Sequence, residues 1–336
     1  MKTPFNIIVT ALLIAVITFT IIGCKKSDVY PAPQISLSVT ADTTDTFMGD
    51  TLELRAIVAN SVAIEHTWTI NDSVYSKAYN IVFYPPAKGL FLLTYRGGNM
   101  TASYERRMII RVTDRLRPVT AASSRYISKV VEYLPAPGQF VNDTLAGRNI
   151  VQNIIGDNRK SLNLGGFGGY VVFTFDHSLI NSNGMDLGIY SSPLPPPAAW
   201  SKPGIVMVSH DRNGNGLADD AWYELAGSEY NNRDTKKNYT VTYYNPKAYK
   251  DVPWKDNTGD TGFIYINNQH LNNYYPLFAA NQDSISFQGN RLPDSFTDRD
   301  STFINTGFAF GYADNYSISD NPSQTGYNSF DISWAT

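Results

Sequence analysis

The stretch from Pro203 to Glu229, PGIVMVSHDRNGNGLADDAWYELAGSE, reads as two strands joined by an acidic loop. Ile205 to Val208 is an apolar run that ends at His210, and Ala221 to Leu225 is a second run centred on Trp222 and Tyr223. Between them Asp211, Asn213 and Asn215 set side-chain oxygens at alternate positions. Gly216 permits a sharp turn, Leu217 can offer its carbonyl, and Asp219 holds the ninth place, followed by Asp220. A calcium loop delivers hard oxygen ligands in that order. The twelfth position is Trp222 rather than a bidentate Glu, and the flanks are strand-like, so this is no EF-hand. Asp220, Glu224 or a distant carboxylate would complete the shell. Asn at two of the early positions lowers the ligand charge and points to the modest affinity of extracellular sites. A polar hairpin turn without metal fits the same residues.

Outward from this hairpin, sustained helical periodicity is almost absent. Short apolar runs recur at Tyr126–Tyr133, Tyr170–Phe175, Tyr239–Tyr244, Gly262–Ile266, Ser284–Phe287, Phe303–Tyr312 and Phe330–Trp334. Residues 125–336 therefore read as a β-sandwich of jelly-roll type. The glycines of Leu164-Gly-Gly-Phe-Gly-Gly-Tyr170 precede a strand and lack a following Lys-Ser/Thr, so close backbone packing is expected there rather than a phosphate loop.

Upstream, residues 34–113 alternate on a smaller scale, through Ile35, Leu37 and Val39, then Leu52, Leu54 and Ala56, then Trp68 and Ile70, then Phe91, Leu93 and Tyr95, and finally Met108 to Val112. Short strands around one buried Trp, with no cysteine pair, suggest an immunoglobulin-like or PKD-like sandwich acting as a spacer. His66 and Trp68 read as core residues. Residues 114–124 read as a linker. The fold class expected for the whole chain is thus all-β, a small sandwich followed by a larger one.

Residues 1–23 read as an address. Lys2 opens it, Phe5–Ile22 is apolar, and Ile21-Ile22-Gly23-Cys24 fits a bacterial lipobox, so Cys24 is the expected lipidation site and residues 24–33 a tether. A transmembrane anchor is the competing reading. A lipidated Cys24 holds the protein at an outer membrane or cell surface without spanning it. It is also the only cysteine of the 336 residues, which excludes disulfides and cysteine chemistry. With Lys2 removed, 26 basic side chains face 30 acidic ones, and no basic footprint for nucleic acid is present.

Enzyme signatures are missing. The four histidines, His66, His177, His210 and His270, lack metal-ligand spacing, and no G-x-S-x-G elbow occurs. A non-catalytic binder is the expectation. Trp254, Tyr274 and Tyr275, with Tyr249, stand among Asn, Asp and Pro, a mixture suited to stacking on a flat ligand while bonding its polar edge; filling of the sandwich is the alternative for each.

The segments VVEYLPAPGQFVN, LGGFGGYVVFTFDH, NGMDLGIY, PGIVMVSHDRNGNGLADDAWYELAGSEY, NYTVTYY and FDISWA together resemble the Bacteroidetes surface lipoproteins that pair a PKD-like module with a jelly roll. The resemblance implies a place beside a TonB-dependent transporter and, by the neighbourhood of some relatives, a corrinoid or vitamin B12 as ligand. In that family the chain continues a strand or two past FDISWA, so the resemblance implies either a C-terminal truncation that removes an edge of the jelly roll or a native end at Thr336. A glycan-binding or adhesive module with structural Ca2+ remains the second reading, and a purely structural surface protein a third.

Overall fold

Period-two alternation is the signal that organises the first unit. A computed structural model describes residues 31–143, 148–157, 160–299, 302–317 and 322–336. The signal peptide, Cys24 and the tether as far as residue 30 lie outside the described residues. The chain divides after Asp114 into two units, each with its own core.

In the first unit β1 (Ile35–Leu37), β3 (Leu52–Val58) and β6 (Asn80–Phe83) form one antiparallel sheet in the order β1-β3-β6, while β2 (Thr43–Phe47), β4 (Glu65–Ile70), β5 (Ser73–Ser76), β7 (Gly89–Gly98) and β8 (Ser103–Thr113) form a second in the order β2-β8-β7-β4-β5. Leu37, Leu54, Ala56, Ile81 and Phe83 of the first sheet meet Trp68, Leu93, Tyr95, Met108, Ile110 and Val112 of the second. Each set alternates along its strands, as side chains on opposite faces of a pleated strand must. Trp68 is wholly buried, and its indole N–H donates to the Ala78 carbonyl at 2.8 Å. His66 Nδ1 lies 2.8 Å from the Tyr95 hydroxyl, so it serves the core edge. The strand β2 is Thr-Thr-Asp-Thr-Phe and pairs parallel with β8; its polar sequence carries no apolar alternation.

The second unit is also all-β, apart from short helical turns. Its strands are β9 (Lys129–Leu134), β10 (Tyr170–Thr174), β11 (Leu187–Tyr190), β12 (Met207–Ser209), β13 (Trp222–Glu224), β14 (Lys236–Tyr244), β15 (Val252–Asp256), β16 (Thr261–Ile264), β17 (Ser284–Arg291), β18 (Phe296–Arg299), β19 (Thr302–Asn305) and β20 (Tyr327–Phe330). An antiparallel sheet in the order β16-β15-β14-β17 is its largest, and the remaining strands pair as ribbons β9-β10, β11-β20, β12-β13 and β18-β19. Tyr239, Val241 and Tyr243 of β14, Val252 of β15, and Ile285 and Phe287 of β17 form the main core with Ala136, Tyr274, Tyr275 and Ala279. A smaller core of Val206, Leu225 and Phe330 underlies the β12-β13 ribbon.

The glycine run ahead of β10 is a point of close backbone approach. Gly165 has φ +77°, and a Cβ there would run into the Ala136 carbonyl; Gly168, at φ +90°, abuts Phe287. Only glycine meets both demands at once. The 115–124 segment is tied to the same unit, because Arg117 and Ser178 exchange hydrogen bonds and the Ser124 N–H donates to Asp176.

Candidate functional site

Two places in the second unit carry candidate chemistry. The first is the acidic loop, which bridges the paired strands β12 and β13 in the register Met207↔Glu224, Val208↔Tyr223 and Ser209↔Trp222. Its side chains fold back on its own backbone. Asp211 Oδ2 accepts from the Gly216 N–H (3.1 Å), Asn213 Oδ1 from the Asn215 N–H (2.9 Å), and Asn215 Oδ1 from the Leu217 N–H (2.8 Å). Asn215 Nδ2 donates to Asp219 Oδ2 (2.8 Å), and Asp220 Oδ2 accepts from the Arg212 N–H (3.2 Å). Gly214 and Gly216 both take φ +71°, the left-handed backbone that such successive Asx turns require.

One oxygen is left over. Asp211 Oδ1 is shielded from solvent and has no hydrogen-bond donor among the described residues. A buried, unsatisfied carboxylate oxygen is costly, and a hard cation would relieve it. The residues thus fit a calcium ion on the Asp211 side of the loop. The carboxylates alone do not form a cage: among the described residues no group of three or more His, Cys, Asp or Glu side chains converges. The Asn and backbone oxygens would have to supply much of the shell.

The second place is an open cleft of about 600 Å³ lined by Lys250, Asp251, Phe263, Tyr265 and Ile266. Phe263 and Tyr265 lie two residues apart around the end of the edge strand β16, with ring centroids 5.9 Å apart and planes tilted by 38°. They are 48% and 70% exposed and, unlike the comparably exposed Tyr79 and Tyr84, they line the cleft. Asp251 Oδ1 accepts from the Ile266 N–H at 2.9 Å, which fixes one wall of the cleft and leaves the other carboxylate oxygen available.

The expected ligand-stacking residues are only partly placed at such a surface. Tyr274 and Tyr275 are each 1% exposed and belong to the core, which corrects the expectation that they form an external platform. An extended strand would turn one of two neighbouring rings outward, but this segment is bent. Asn273 Oδ1 accepts from the Tyr275 N–H, Gly138 donates to the Tyr274 carbonyl, and Asn142 reaches the Asn273 and Tyr275 carbonyls, so both rings swing inward. Trp254 is half-buried against the same core, its ring lying over Gly262. Tyr249 is exposed, and its hydroxyl donates to the Asn267 carbonyl at 3.0 Å.

Lys250, Asp251, Phe263 and Ile266 were not singled out in the sequence. The available signal was Phe263-Ile264-Tyr265, in which Ile264 packs inward and both neighbours face out. A strand apolar on both faces, at an edge, is the pattern to notice.

His177, His210, His270 and Asp256 have structural partners. His177 pairs with Asp176 at 2.7 Å, and that bond holds the Asp176 carboxyl below its ordinary range. His210 Nε2 lies 3.2 Å from the Arg115 carbonyl, and His270 stands edge-on to Phe140. Asp256 is buried. Burial works to raise its pKa, but hydrogen bonds from the Tyr239 hydroxyl, the Thr258 hydroxyl and N–H, and the Asp260 N–H outweigh it and bring it down to about 2. Tyr239 is correspondingly pushed up to about 12, by burial first and then by Asp256.

No family model matches the chain, and no curated protein matches it. Its structural neighbours include a PKD domain and a Bacteroides protein. The PKD domain of human KIAA0319 is 16% identical over 30% of this chain and 99% of that domain, with a TM-score of 0.22. A quinonprotein alcohol dehydrogenase-like protein from Bacteroides thetaiotaomicron is 12% identical over 68% of this chain and 48% of that one, with a TM-score of 0.23. This chain therefore spans about half the length of the second, and likenesses this faint carry no functional argument.

Proposed function

We propose that the protein is a non-catalytic lipoprotein, anchored through Cys24 at the outer membrane or cell surface, that holds a nutrient ligand for a TonB-dependent transporter. The observation that carries the binding reading is the pair of exposed rings, Phe263 and Tyr265, beside Lys250 and Asp251 in an open cleft. Rings of this kind stack on a flat ligand while the charged pair bonds its polar edge. A corrinoid is the ligand class that the sequence resemblance favours. A carbohydrate is the alternative, since exposed rings beside a charged pair also suit the stacking and hydrogen bonding of a sugar ring.

Titration of residues 25–336 with cyanocobalamin and with a glycan panel separates the two. Micromolar binding of cyanocobalamin that is lost in Tyr265→Ala supports the corrinoid reading. Binding of glycans alone replaces it with the carbohydrate reading, and binding of neither rejects the cleft as a ligand site.

Calcium in the Asp211 loop belongs to the same proposal as a structural ion, supported by the orphaned Asp211 Oδ1. An ion bound to the folded state alone stabilises by RT ln(1 + [L]/Kd), so millimolar calcium is expected to raise Tm and a chelator to lower it. An unchanged melt removes the ion.

A further inference from the structure

The acidic loop contains two consecutive Asn-Gly pairs, Asn213-Gly214 and Asn215-Gly216, and its hydrogen bonds treat them differently. We propose that Asn213 is a site of spontaneous deamidation and that Asn215, two residues away, is protected. The proposal depends on no ligand and no ion.

The chemistry has defined requirements. The backbone nitrogen of the following glycine must shed its proton to solvent base and bond to the Asn Cγ. The Cγ–Nδ2 bond then breaks, ammonia leaves with the returned proton, and a five-membered succinimide remains. Water opens either imide carbonyl, giving aspartate or isoaspartate. The net change is amide plus water to carboxylic acid plus ammonia, with no oxidation or reduction.

At Asn213 the nucleophile is open to solvent base. The residue is exposed, and the Gly214 N–H makes no hydrogen bond among the described residues. Asn213 Oδ1 accepts from the Asn215 N–H, which polarises the Cγ carbonyl toward attack; Asn215 Oδ1 is polarised in the same way by the Leu217 N–H, so the difference between the two lies in the nucleophile and the leaving group. The Arg115 side chain lies against Gly214, so close that a Cβ there would meet its Cδ and Nε.

At Asn215 two contacts oppose the reaction. The nucleophile is engaged, because the Gly216 N–H donates to Asp211 Oδ2 at 3.1 Å and the adjacent carboxylate disfavours a negative nitrogen. The leaving group is held, because Asn215 Nδ2 donates to Asp219 Oδ2 at 2.8 Å. Conversion at position 213 alone would add one negative charge to a loop that already carries Asp211, Asp219 and Asp220.

The test is to age the folded protein in mildly alkaline buffer with chelator and map deamidated peptides by mass spectrometry. Asn183-Gly184, exposed and outside this loop, gives an internal reference. The expected result is conversion at 213 several-fold faster than at 215, with the difference abolished in denaturant. Equal rates in the folded protein, or an intact Asn213 once Asn183 has converted, would overturn the proposal. In Asp211→Ala the Gly216 N–H is released, and the rate at 215 is expected to rise toward that at 213; a rate at 215 that stays low refutes the protecting role of Asp211.

Discussion

Asp256 shows how one buried carboxylate couples acidity to stability. Its pKa is about 2 in the folded chain against an ordinary value of 3.8, so the folded state favours the ionised form. That contribution is complete above the ordinary value and is lost as pH falls through the folded value. Asp256→Asn is therefore expected to lower stability at neutral pH by about 1–3 kcal/mol, the scale for a disrupted buried network. The gap from the parent protein should close as pH drops from about 4 to about 2. Acid titration of both proteins by circular dichroism checks it, and parallel curves would remove Asp256 from the account. His66 works in a different window. Burial lowers its pKa from 6.5, so its contribution is full above that value and declines as pH falls below it. His66→Gln has no charge to gain and should show a smaller drop in Tm between neutral and mildly acidic pH than the parent does.

At the scale of the element, glycines divide by what surrounds them. Gly165 and Gly216 both have positive φ, +77° and +71°, yet a Cβ on Gly165 meets the Ala136 carbonyl while one on Gly216 meets open space. Gly216→Ala should cost about 1–2 kcal/mol, the left-handed backbone term alone. Gly165→Ala must in addition push two backbone segments apart and should cost more than about 3 kcal/mol. Urea melts of the two variants distinguish these cases, and equal losses would mean that backbone conformation rather than packing decides. The strands that alternate in sequence, such as Leu52-Glu-Leu-Arg-Ala56, are those whose faces divide cleanly between core and solvent. The acidic hairpin was legible for the same reason, since two apolar runs flank a turn of Asn, Asp and Gly. The strand β2 was not, because Thr-Thr-Asp-Thr-Phe owes its place to pairing with β8. The misplaced rings of Tyr274 and Tyr275 have a similar origin. Their direction is set by an Asx turn at Asn273 and by Asn142, more than a hundred residues away, and neither is visible in local periodicity.

Across the whole molecule, the separation of the two cores makes a prediction that neither smaller scale can make. The eleven buried residues of the first core all lie between Leu37 and Val112, and every strand partner in that unit lies between Ile35 and Thr113. Among the described residues, none beyond Asp114 belongs to that core. A chain of residues 31–114 is therefore expected to fold alone in one cooperative transition, because a unit with a complete core and no missing strand partner meets the physical definition of a domain. Trp68 is the only tryptophan in that interval and is fully buried, so its fluorescence reports this core without interference. The isolated fragment should show a native-like Trp68 emission that shifts on denaturation. Trp68→Ala should destabilise it by about 3–5 kcal/mol, enough to leave so small a domain largely unfolded. A fragment that binds hydrophobic dyes and melts without cooperativity would mean that the boundary at Asp114 separates contacts without separating stability.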